Sequence, residues 1–535
     1  MIARRAATAC AVLCALAAGP ASPQSRAPGT VVIVTGQYAS SPIPTAMEGA
    51  QSTTANQELS DQLFLRLANL GPDRRTADEK SFQPALARAW ERLDSLTLAV
   101  ELDPRARWHD GRPVVADDVV FTFARARDPK IAPKLANLLR HLVSVTAKGE
   151  RRVVFRFGRA YPEQFYDITF HAAPLPSHLL GAPAAELPRE FIANPVGSGP
   201  YRITRAVPGQ FIELTANPDF LFGPPSVSRV LFRVASDAEA RMNLLLSDQV
   251  DAMENVPGPL TNIQRVAAAS HLRAIALPSP AMGYLLFNQR DRADRARPHP
   301  ILSDPAVRRA IGFALDRQAI VRATFGRWAE VPYGPVSQLL WIRSESPAAE
   351  PQNLGEAQRL FASRGWRDTD GDGVLDRHGV PLALALNYPL TSEVRRQVAQ
   401  LVQEQLRRAG VRIELVRLEG AVWHERRTRG DFDIDFSSVI QDPTPSGLTQ
   451  GWSCAGGTNV AKYCNPRVDS LLERAIADPG GGGATWQAAL RQIEEDAPAV
   501  FMYAPLYVYP VSRRLRDVRL RPESPWLQLW SWRAG

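Results

Sequence analysis

The chain has 535 residues, of which 45% are hydrophobic and 22% charged, a composition typical of an ordinary globular protein and not of a disordered one. This length is too great for one hydrophobic core and predicts two or three domains. The formal net charge is +8, but the basic residues are mostly isolated arginines that alternate with acids, so we expect no nucleic-acid partner.

The first residues carry the features of a secretory signal peptide, which we assign to residues 1–21. Arg4 and Arg5 precede an apolar stretch over residues 6–18, and the small residues 19–21 offer a cleavage site. The apolar stretch is too short to span a membrane, and no later segment approaches about 18 uninterrupted apolar residues. We therefore expect an exported, soluble protein located in the periplasm.

The next part of the chain shows both strand and helix periodicities. Residues 31–34 predict a short apolar strand, and residues 58–70 predict an amphipathic helix because leucines recur on one face. Tyr38 follows the strand in a Ser- and Pro-rich loop, where packing and a place on the wall of a cleft are both open interpretations. Apolar residues at alternate positions over 96–102 predict a strand with one apolar face.

Two short segments invite a catalytic interpretation that the residues do not sustain. His109 stands beside Asp110, but the Asp-Gly pair is a turn signal and no nucleophile can be identified with it. Gly197 and Gly199 lack the third glycine and the helix of a dinucleotide-binding loop, and Ser198 lacks the G-x-S-x-G frame of a hydrolase elbow. We interpret both segments as turns.

An acidic loop raises the question of calcium. Asp368, Asp370 and Asp372 fit the first half of an EF-hand loop. Gly379 stands at the twelfth position, where such a loop requires a bidentate Glu. Weak calcium binding and a simple surface turn both stay open, and we favour the turn.

Residues 382–418 predict a strand, a helix and a second strand. The segments are 382–388, 394–409 and 411–418, with Gly410 ending the helix. A crossover of this length predicts that the two strands are parallel, with a right-handed connection.

The most informative stretch is a strand followed by a long polar loop. Apolar residues alternate with Asp433 and Asp435 over 432–436, a period typical of a half-buried strand. The loop over 437–463 is rich in Pro, Gly, Ser and Thr, and a helix with Asn465 as its N-cap follows. Because ligands collect at the carboxyl ends of strands, this arrangement predicts the rim of a ligand cleft.

Cys454 and Cys464 are the only cysteines outside the leader. In an exported protein this pair predicts a disulfide that closes a short loop. A redox couple would require C-x-x-C spacing, and a zinc site would require nearby histidine ligands, neither of which is present.

Motifs in a fixed order along the chain resemble those of the periplasmic solute-binding proteins of ABC importers, family 5, of the dipeptide-, oligopeptide- and nickel-binding type. In the segment at 194–201, Ser198 stands where the family motif P-x-G-T-G-P-Y has Thr. The matching segments are WHDGRPVVADDV at 108–119, NPVGSGPY at 194–201, GYLLFN at 283–288, the helix over 305–317, GDFD at 430–433, the Asp-Pro pair at 442–443, the cysteine pair, and NPRVDSLLERA at 465–475.

The resemblance implies an α/β, periplasmic-binding-protein-like fold of the class II, three-domain type, with two lobes, mixed sheets and a hinge. We expect residues 500–511, a late apolar segment, to return to the first lobe. The implied domains are lobe 1 (28–58, 195–277 and 505–535), satellite domain II (59–194) and lobe 2 or domain III (278–504).

The resemblance also implies function. Such a protein captures a peptide or peptide-like small solute between its lobes and delivers it to the membrane permease subunits of an ABC importer. We expect a monomer that is not an enzyme and needs no cofactor. A periplasmic sensor or chaperone-like binding protein of the same fold, or a secreted hydrolase, is the alternative.

The ligand is the open part of this expectation. Peptide binders of this type carry a carboxylate three residues before the acid-Pro pair, where it meets the α-amino group of the ligand, and this chain has Val439 there. An isopropyl group does not compensate for the desolvation of an ammonium. Either another acid such as Asp442 takes over, or the ligand has no free amino terminus. The residues predicted to line the cleft are Tyr38, Phe287, Asn288, Val439, Gln441, Asp442 and Trp452.

Overall fold

The computed structural model of the protein describes residues 27–181, 186–345, 348–478 and 480–535. The predicted signal peptide, residues 1–21, lies outside these ranges. Among the described helices, none is both long enough and apolar enough to traverse a bilayer.

The described ranges contain strands and helices in alternation. The strands are β1 (Thr30–Thr35), β2 (Ala68–Leu70), β3 (Phe82–Pro84), β4 (Ala87–Asp94), β5 (Thr97–Leu102), β6 (Leu142–Lys148), β7 (Arg152–Phe157), β8 (Tyr201–Val207), β9 (Phe211–Ala216), β10 (Arg229–Val234), β11 (Ala252–Met253), β12 (Leu272–Pro278), β13 (Ala281–Phe287), β14 (Ala329–Glu330), β15 (Asp376–Arg377), β16 (Val380–Pro381), β17 (Ala383–Pro389), β18 (Arg412–Leu418), β19 (Ile434–Ile440), β20 (Ala499–Ser512), β21 (Leu515–Arg516) and β22 (Arg533–Ala534). The helices are α1 (Thr54–Leu63), α2 (Ala116–Ala126), α3 (Pro133–Leu138), α4 (Gln164–Phe170), α5 (Ser177–Leu180), α6 (Arg189–Ala193), α7 (Ala238–Leu246), α8 (Leu260–Ala268), α9 (Pro305–Ala314), α10 (Arg317–Phe325), α11 (Leu354–Ser363), α12 (Glu393–Arg408), α13 (Gly420–Arg429), α14 (Leu448–Trp452), α15 (Pro466–Ala477) and α16 (Gly483–Asp496).

Within the described ranges, twelve strands form one mixed sheet that runs through both lobes. Its order is β18-β17-β19-β13-β20-β11-β1-β10-β9-β8, and β12 and β14 also pair with β20. A separate four-stranded sheet of order β4-β5-β7-β6 lies in the satellite domain. The fold is therefore the mixed α/β, two-lobed fold that the sequence predicts, while the domain boundaries given above stay a prediction.

Strand β20 joins the two lobes. Its first part pairs with β13 of lobe 2, as at Tyr503 opposite Gly283, and its last part pairs with β12 of lobe 1. The side chains of Pro505, Leu506 and Tyr507 are half-buried, whereas those on both sides of them are buried. Since β12 also leads directly into β13, two neighbouring stretches of the described chain connect the lobes, which is the geometry of a hinge.

The lobe 2 sheet is covered on both faces, which corrects one expectation from the sequence. Asp433 and Asp435 were expected on a solvent face, but both are buried. Nε2 of His299 lies 3.2 Å from Asp433 Oδ1, Trp423 Nε1 donates to Asp435 Oδ1 at 2.8 Å, and Arg427 Nε lies 3.3 Å from Asp435 Oδ2. Trp423 and Arg427 belong to α13, so this helix covers the face of β19 on which Asp435 lies.

The predicted helix over 58–70 is displaced. Helix α1 begins at Thr54 and ends at Leu63, and the chain then continues in extended form to β2. The extended backbone is held by the turn at 197–199: Leu65 N donates to Ser198 Oγ at 3.1 Å, and Gly199 N donates to Leu63 O at 2.8 Å. This distant partner, which sequence periodicity does not reveal, ends the helix.

His109 completes the same turn and has a structural role. Gly197 N donates to His109 Nδ1 at 3.0 Å, so Nε2 carries the proton that it shares with Gly199 O at 3.1 Å. Burial lowers the pKa of His109 to about 4, which keeps the ring neutral. A Cβ at Gly197 would lie 1.8 Å from Leu63 O, so this close approach requires glycine.

Other predicted elements are confirmed. Strands β17 and β18 are parallel and are connected by α12. Helix α9 begins after Asp304, whose side chain accepts from Ala306 N, and α15 begins after Asn465, whose side chain accepts from Arg467 N.

Candidate ligand-binding site

A cavity of about 340 Å³ lies between the lobes, and we refer to it as the interlobe cleft. Its walls come from lobe 1, the satellite domain and lobe 2 together. The lining residues from these three parts include Glu58, Tyr507, Tyr509 and Glu523; Leu138, Phe170 and His171; and Pro280, Leu339, Ile440, Gln441, Asp442 and Pro443. This mixture of aromatic, aliphatic and acidic side chains is typical of a site that encloses a small solute.

Asp442 lies where the interlobe cleft meets two further cavities. One, of about 260 Å³, lies inside lobe 2 beneath the end of β19, and we call it the lobe 2 pocket. The other, of about 370 Å³, lies between the satellite domain and the 444–450 segment. The side chain of Asp442 is exposed, and no hydrogen bond or ion pair joins it to another described residue. Its carboxylate is therefore available to a solute in the cleft.

Gln441 lines the cleft and forms three hydrogen bonds with other parts of lobe 2. Its backbone N donates to Pro280 O at 2.9 Å, its Nε2 donates to Pro335 O at 2.7 Å, and its Oε1 accepts from Ser337 N at 2.8 Å. These bonds tie the end of β19 to the 335–337 loop. Gln441 lines both the cleft and the lobe 2 pocket, and its side-chain amide keeps one N–H and one oxygen lone pair beyond its bonds to Pro335 and Ser337.

The lobe 2 pocket brings Val439 and Trp452 together. The Trp452 ring lies 5.7 Å from the Tyr284 ring and 5.3 Å from the Phe501 ring, measured between centroids. Val439 is partly buried and packs against the same cluster. Val439, where the resemblance would have led us to expect a carboxylate, therefore forms part of an apolar wall.

Cys454 and Cys464 form a disulfide, as predicted. The enclosed loop contributes residues 458–461 and Tyr463 to the wall of the lobe 2 pocket. Inside the loop, Asn459 Nδ2 donates to the carbonyl oxygen of Ser453 at 2.9 Å and to that of Tyr463 at 2.6 Å. The bridge and the Asn459 amide together hold this wall in place.

Three predicted lining residues lie elsewhere. Phe287 is fully buried in the lobe 2 core, and Asn288 donates through Nδ2 to Gly430 O at 2.9 Å and to Phe432 O at 2.8 Å. Tyr38 packs against the lobe 1 core. The structure thus groups Val439, Gln441, Asp442 and Trp452 around the cleft and the lobe 2 pocket, and it leaves the other three outside both linings.

Glu163 makes a contact across the lobes that the sequence did not single out. Its Oε1 accepts from Thr76 Oγ1 within the satellite domain and from Thr444 Oγ1 of lobe 2 at 2.5 Å, and its Oε2 accepts from Ser446 Oγ of lobe 2. Burial raises the pKa of this carboxyl, the three hydroxyl donors lower it, and Asp167 raises it again. Nothing local in the sequence marks Glu163, because its partners lie far away along the chain.

Further contacts between the same domains surround this one. Arg74 Nε donates to Leu339 O at 3.2 Å, and the Arg75 guanidinium lies 5.0 Å from the Trp341 ring centroid. The satellite domain and lobe 2 are therefore in direct contact along one side of the cleft, and this contact encloses it.

The acidic loop in lobe 2 is separate from the cleft. Asp368, Asp370 and Asp372 are exposed, and one carboxylate oxygen from each lies within 4.8 Å of the others. Both oxygens of Asp368 accept from backbone N–H groups, those of Gly371 at 2.8 Å and Gly373 at 3.1 Å. These bonds fit the surface turn that we favoured, and calcium binding stays a prediction.

Comparisons with known proteins agree with this architecture. The family model for bacterial extracellular solute-binding proteins, family 5 Middle, matches residues 81–460, more than half of the chain. The chain is 27% identical over 503 residues to the oligopeptide-binding protein AppA of Bacillus subtilis (strain 168), with 91% of this chain and 89% of AppA covered.

Solved structures show the same likeness. That of AppA from Bacillus subtilis in complex with a nonapeptide has a TM-score of 0.71 at 25% identity and covers 95% of this chain and 99% of that one. The ABC transporter substrate-binding protein CtaP from Listeria monocytogenes has a TM-score of 0.81 at 21% identity, with 95% and 100% covered, and supports the fold. The chain belongs to the bacterial extracellular solute-binding proteins of family 5.

Proposed function

We propose that this protein is the substrate-binding subunit of an ABC importer, that it captures a peptide or peptide-like small solute in the interlobe cleft, and that it delivers the solute to membrane permease subunits. The observation that supports this most directly is the cleft itself, which is walled by both lobes and by the satellite domain. The similar protein AppA is named as an oligopeptide-binding protein, and its solved structure holds a nonapeptide.

Binding, and not catalysis, is the role that the site residues support. Gln441 and His109 are used in internal hydrogen bonds, and Asp442 has no histidine or nucleophile bonded to it in the described structure. The hinge at Pro505–Tyr507 allows the lobes to open and close around a solute. The predicted signal peptide would place the protein in the periplasm, where it would meet the permease as a monomer.

Two measurements test the proposal. Native mass spectrometry of the protein purified from the periplasm of its own host should show co-purified peptide, and a peptide library should raise the melting temperature. A ligand present at a hundredfold excess over its Kd adds about 2.7 kcal/mol to the free energy of unfolding. If no peptide raises the melting temperature, or if peptides are cleaved when incubated with the protein, the proposed function is wrong.

A further inference from the structure

The charges that line the interlobe cleft are unbalanced. Its lysine and arginine side chains are Arg66 and Lys134, and His171, whose Nε2 lies 3.6 Å from Asp167 Oδ1, also lines it. Arg66 is paired, since its Nη2 lies 3.0 Å from Asp61 Oδ1 and its guanidinium lies 4.8 Å from the Phe170 ring centroid. Lys134 is exposed at the rim, where its Nζ donates to Ser52 Oγ at 3.0 Å. Of the remaining acids of the lining, Glu523 pairs with Arg521, whereas Glu58 and Asp442 form no ion pair with a described residue.

Among the described acids that line the cleft, Glu58 of lobe 1 is the most deeply buried one without a counter-ion. Only 4% of the residue is exposed, and no lysine, arginine or histidine of the described chain forms an ion pair with it. The acids that face it are Asp61 and Glu254, and Tyr509 from β20 also faces it. Burial without a counter-ion disfavours the ionised form of this carboxyl, and a cation placed beside it stabilises that form.

Glu523 adds a second carboxylate with unused capacity. Its side chain is 3% exposed, and its Oε1 accepts from Arg521 Nε at 2.6 Å. Its Oε2 is buried and has no hydrogen-bond partner among the described residues. A buried acceptor of this kind normally has a partner, so the lining of the cleft is chemically incomplete on the lobe 1 side.

Asp442 supplies the matching charge from lobe 2. It lines the same cleft as Glu58 and Glu523, and no described residue pairs with it. The two sides of the cleft therefore present carboxylates to a common space. A cation in that space would attract both lobes and favour the closed arrangement.

We propose that the interlobe cleft selects solutes that carry a cationic nitrogen group, an ammonium or a guanidinium, held between Glu58 of lobe 1 and Asp442 of lobe 2. This assignment rests on the proposed function, whose solute it specifies. The cationic group is either the α-amino group of a peptide or a basic side chain, and the experiment below separates these two sources.

The experiment is isothermal titration calorimetry on the mature protein with matched probes. The peptide probes are Ala-Ala-Ala, its N-acetylated amide and the N-acetylated amide of Ala-Lys-Ala, and agmatine serves as a cation without peptide bonds. We expect a cationic probe to bind about tenfold to a hundredfold more tightly than the neutral peptide. Preference for Ala-Ala-Ala identifies the α-amino group as the bound cation, and preference for the N-acetylated amide of Ala-Lys-Ala identifies a basic side chain.

Two variants test whether the cation binds at Glu58 and Asp442. Glu58→Gln and Asp442→Asn should each remove most of the preference for the cationic probe over the neutral peptide. Glu404→Gln, which removes one negative charge from the exposed surface of α12, is the control and should retain the preference. Asp442 is exposed, so its variant carries the test even if Glu58→Gln folds poorly.

The pH dependence of the affinity for a cationic probe distinguishes a Glu58 that binds the cation from one that only stabilises the fold. Burial, together with Glu254 and Asp61, raises the pKa of Glu58 to about 8. A bound cation requires the ionised form, so the affinity for a cationic probe should rise between pH 6 and pH 8, with proton release on binding that is absent in Glu58→Gln.

The outcomes separate this assignment from the function on which it rests. Equal affinity for neutral and cationic peptides, or a preference that survives in both variants, overturns the assignment and leaves peptide binding intact. Binding of agmatine through Glu58 without binding of any peptide supports the cation site and overturns the peptide function. Failure of every probe to bind overturns both.

Discussion

Thr444 and Ser446 of lobe 2 donate hydrogen bonds to the buried Glu163 of the satellite domain, so they connect the two sides of the cleft only when the lobes are closed. The double variant Thr444→Val, Ser446→Ala removes both donors and keeps the size of the side chains nearly unchanged. We predict that it weakens closure and, with it, the affinity for the solute.

The magnitude follows from the chemistry of the bonds. A hydrogen bond to a charged group is worth about 1.5–3 kcal/mol. Burial of Glu163, which raises its pKa, offsets part of this gain, so we take about 2 kcal/mol for the two bonds together. The ratio of closed to open molecules should therefore fall by about thirtyfold. If the free protein is mainly open, the affinity for the solute falls by the same factor.

The assay is a distance measurement by double electron–electron resonance between spin labels at Glu239 on lobe 1 and Arg408 on lobe 2, whose side chains are exposed. The distance distribution of the double variant should shift toward the open form, and calorimetry should show the weaker affinity. Thr428→Val is the matched control, because its hydroxyl bonds to His424 O within α13 of lobe 2. An unchanged distance distribution and affinity in the double variant would show that these hydroxyls do not hold the lobes together.

Three further changes have defined outcomes. Closure of the wild-type protein should weaken as pH rises through the raised pKa of Glu163, because the closed form binds the proton of this carboxyl more tightly than the open form does. Glu163→Gln should abolish this pH dependence, which the same spin labels measure. Cys454→Ser should lower the free energy of unfolding by about 3 kcal/mol in urea titration, and a change within error would show that the loop needs no bridge. Val439→Asp should raise the affinity for peptides with a free amino terminus, and identical calorimetry across a peptide panel would refute equivalence of this position.

Local sequence signals predicted the framework well. The structure confirms the N-caps at Asp304 and Asn465, the parallel strands around α12 and the disulfide. Each of these features depends on residues close together in the chain or on the oxidising conditions expected for an exported protein. The strand predicted at 432–436 exists but is displaced, since β19 spans Ile434–Ile440 and includes residues 437–440, which were predicted as loop. Asp433 and Asp435 were expected in solvent and are buried. Period-2 alternation identifies a strand without revealing that both faces of the sheet are covered.

The candidate site was predictable only in part. Residues 439–442 and Trp452 were found because the sequence predicted a binding loop from residue 437 onward, and they lie together at the end of β19 and in the loop that follows it. Glu58 and Glu163 were missed because each is buried next to residues hundreds of positions away in the chain. Glu58 lies next to Glu254 and Trp526, and Glu163 accepts a hydrogen bond from Thr444. A carboxylate in a helix or a turn carries no local mark of such an environment.

The position of β20 late in the chain has a consequence for the order of assembly. Neither half of the large sheet is complete until Ala499–Ser512 arrives, since β13 in one half and β11 and β12 in the other all pair with this strand. Such distant pairings are slow to form. Both halves should therefore reach their native packing together and only after nearly the whole chain has been made.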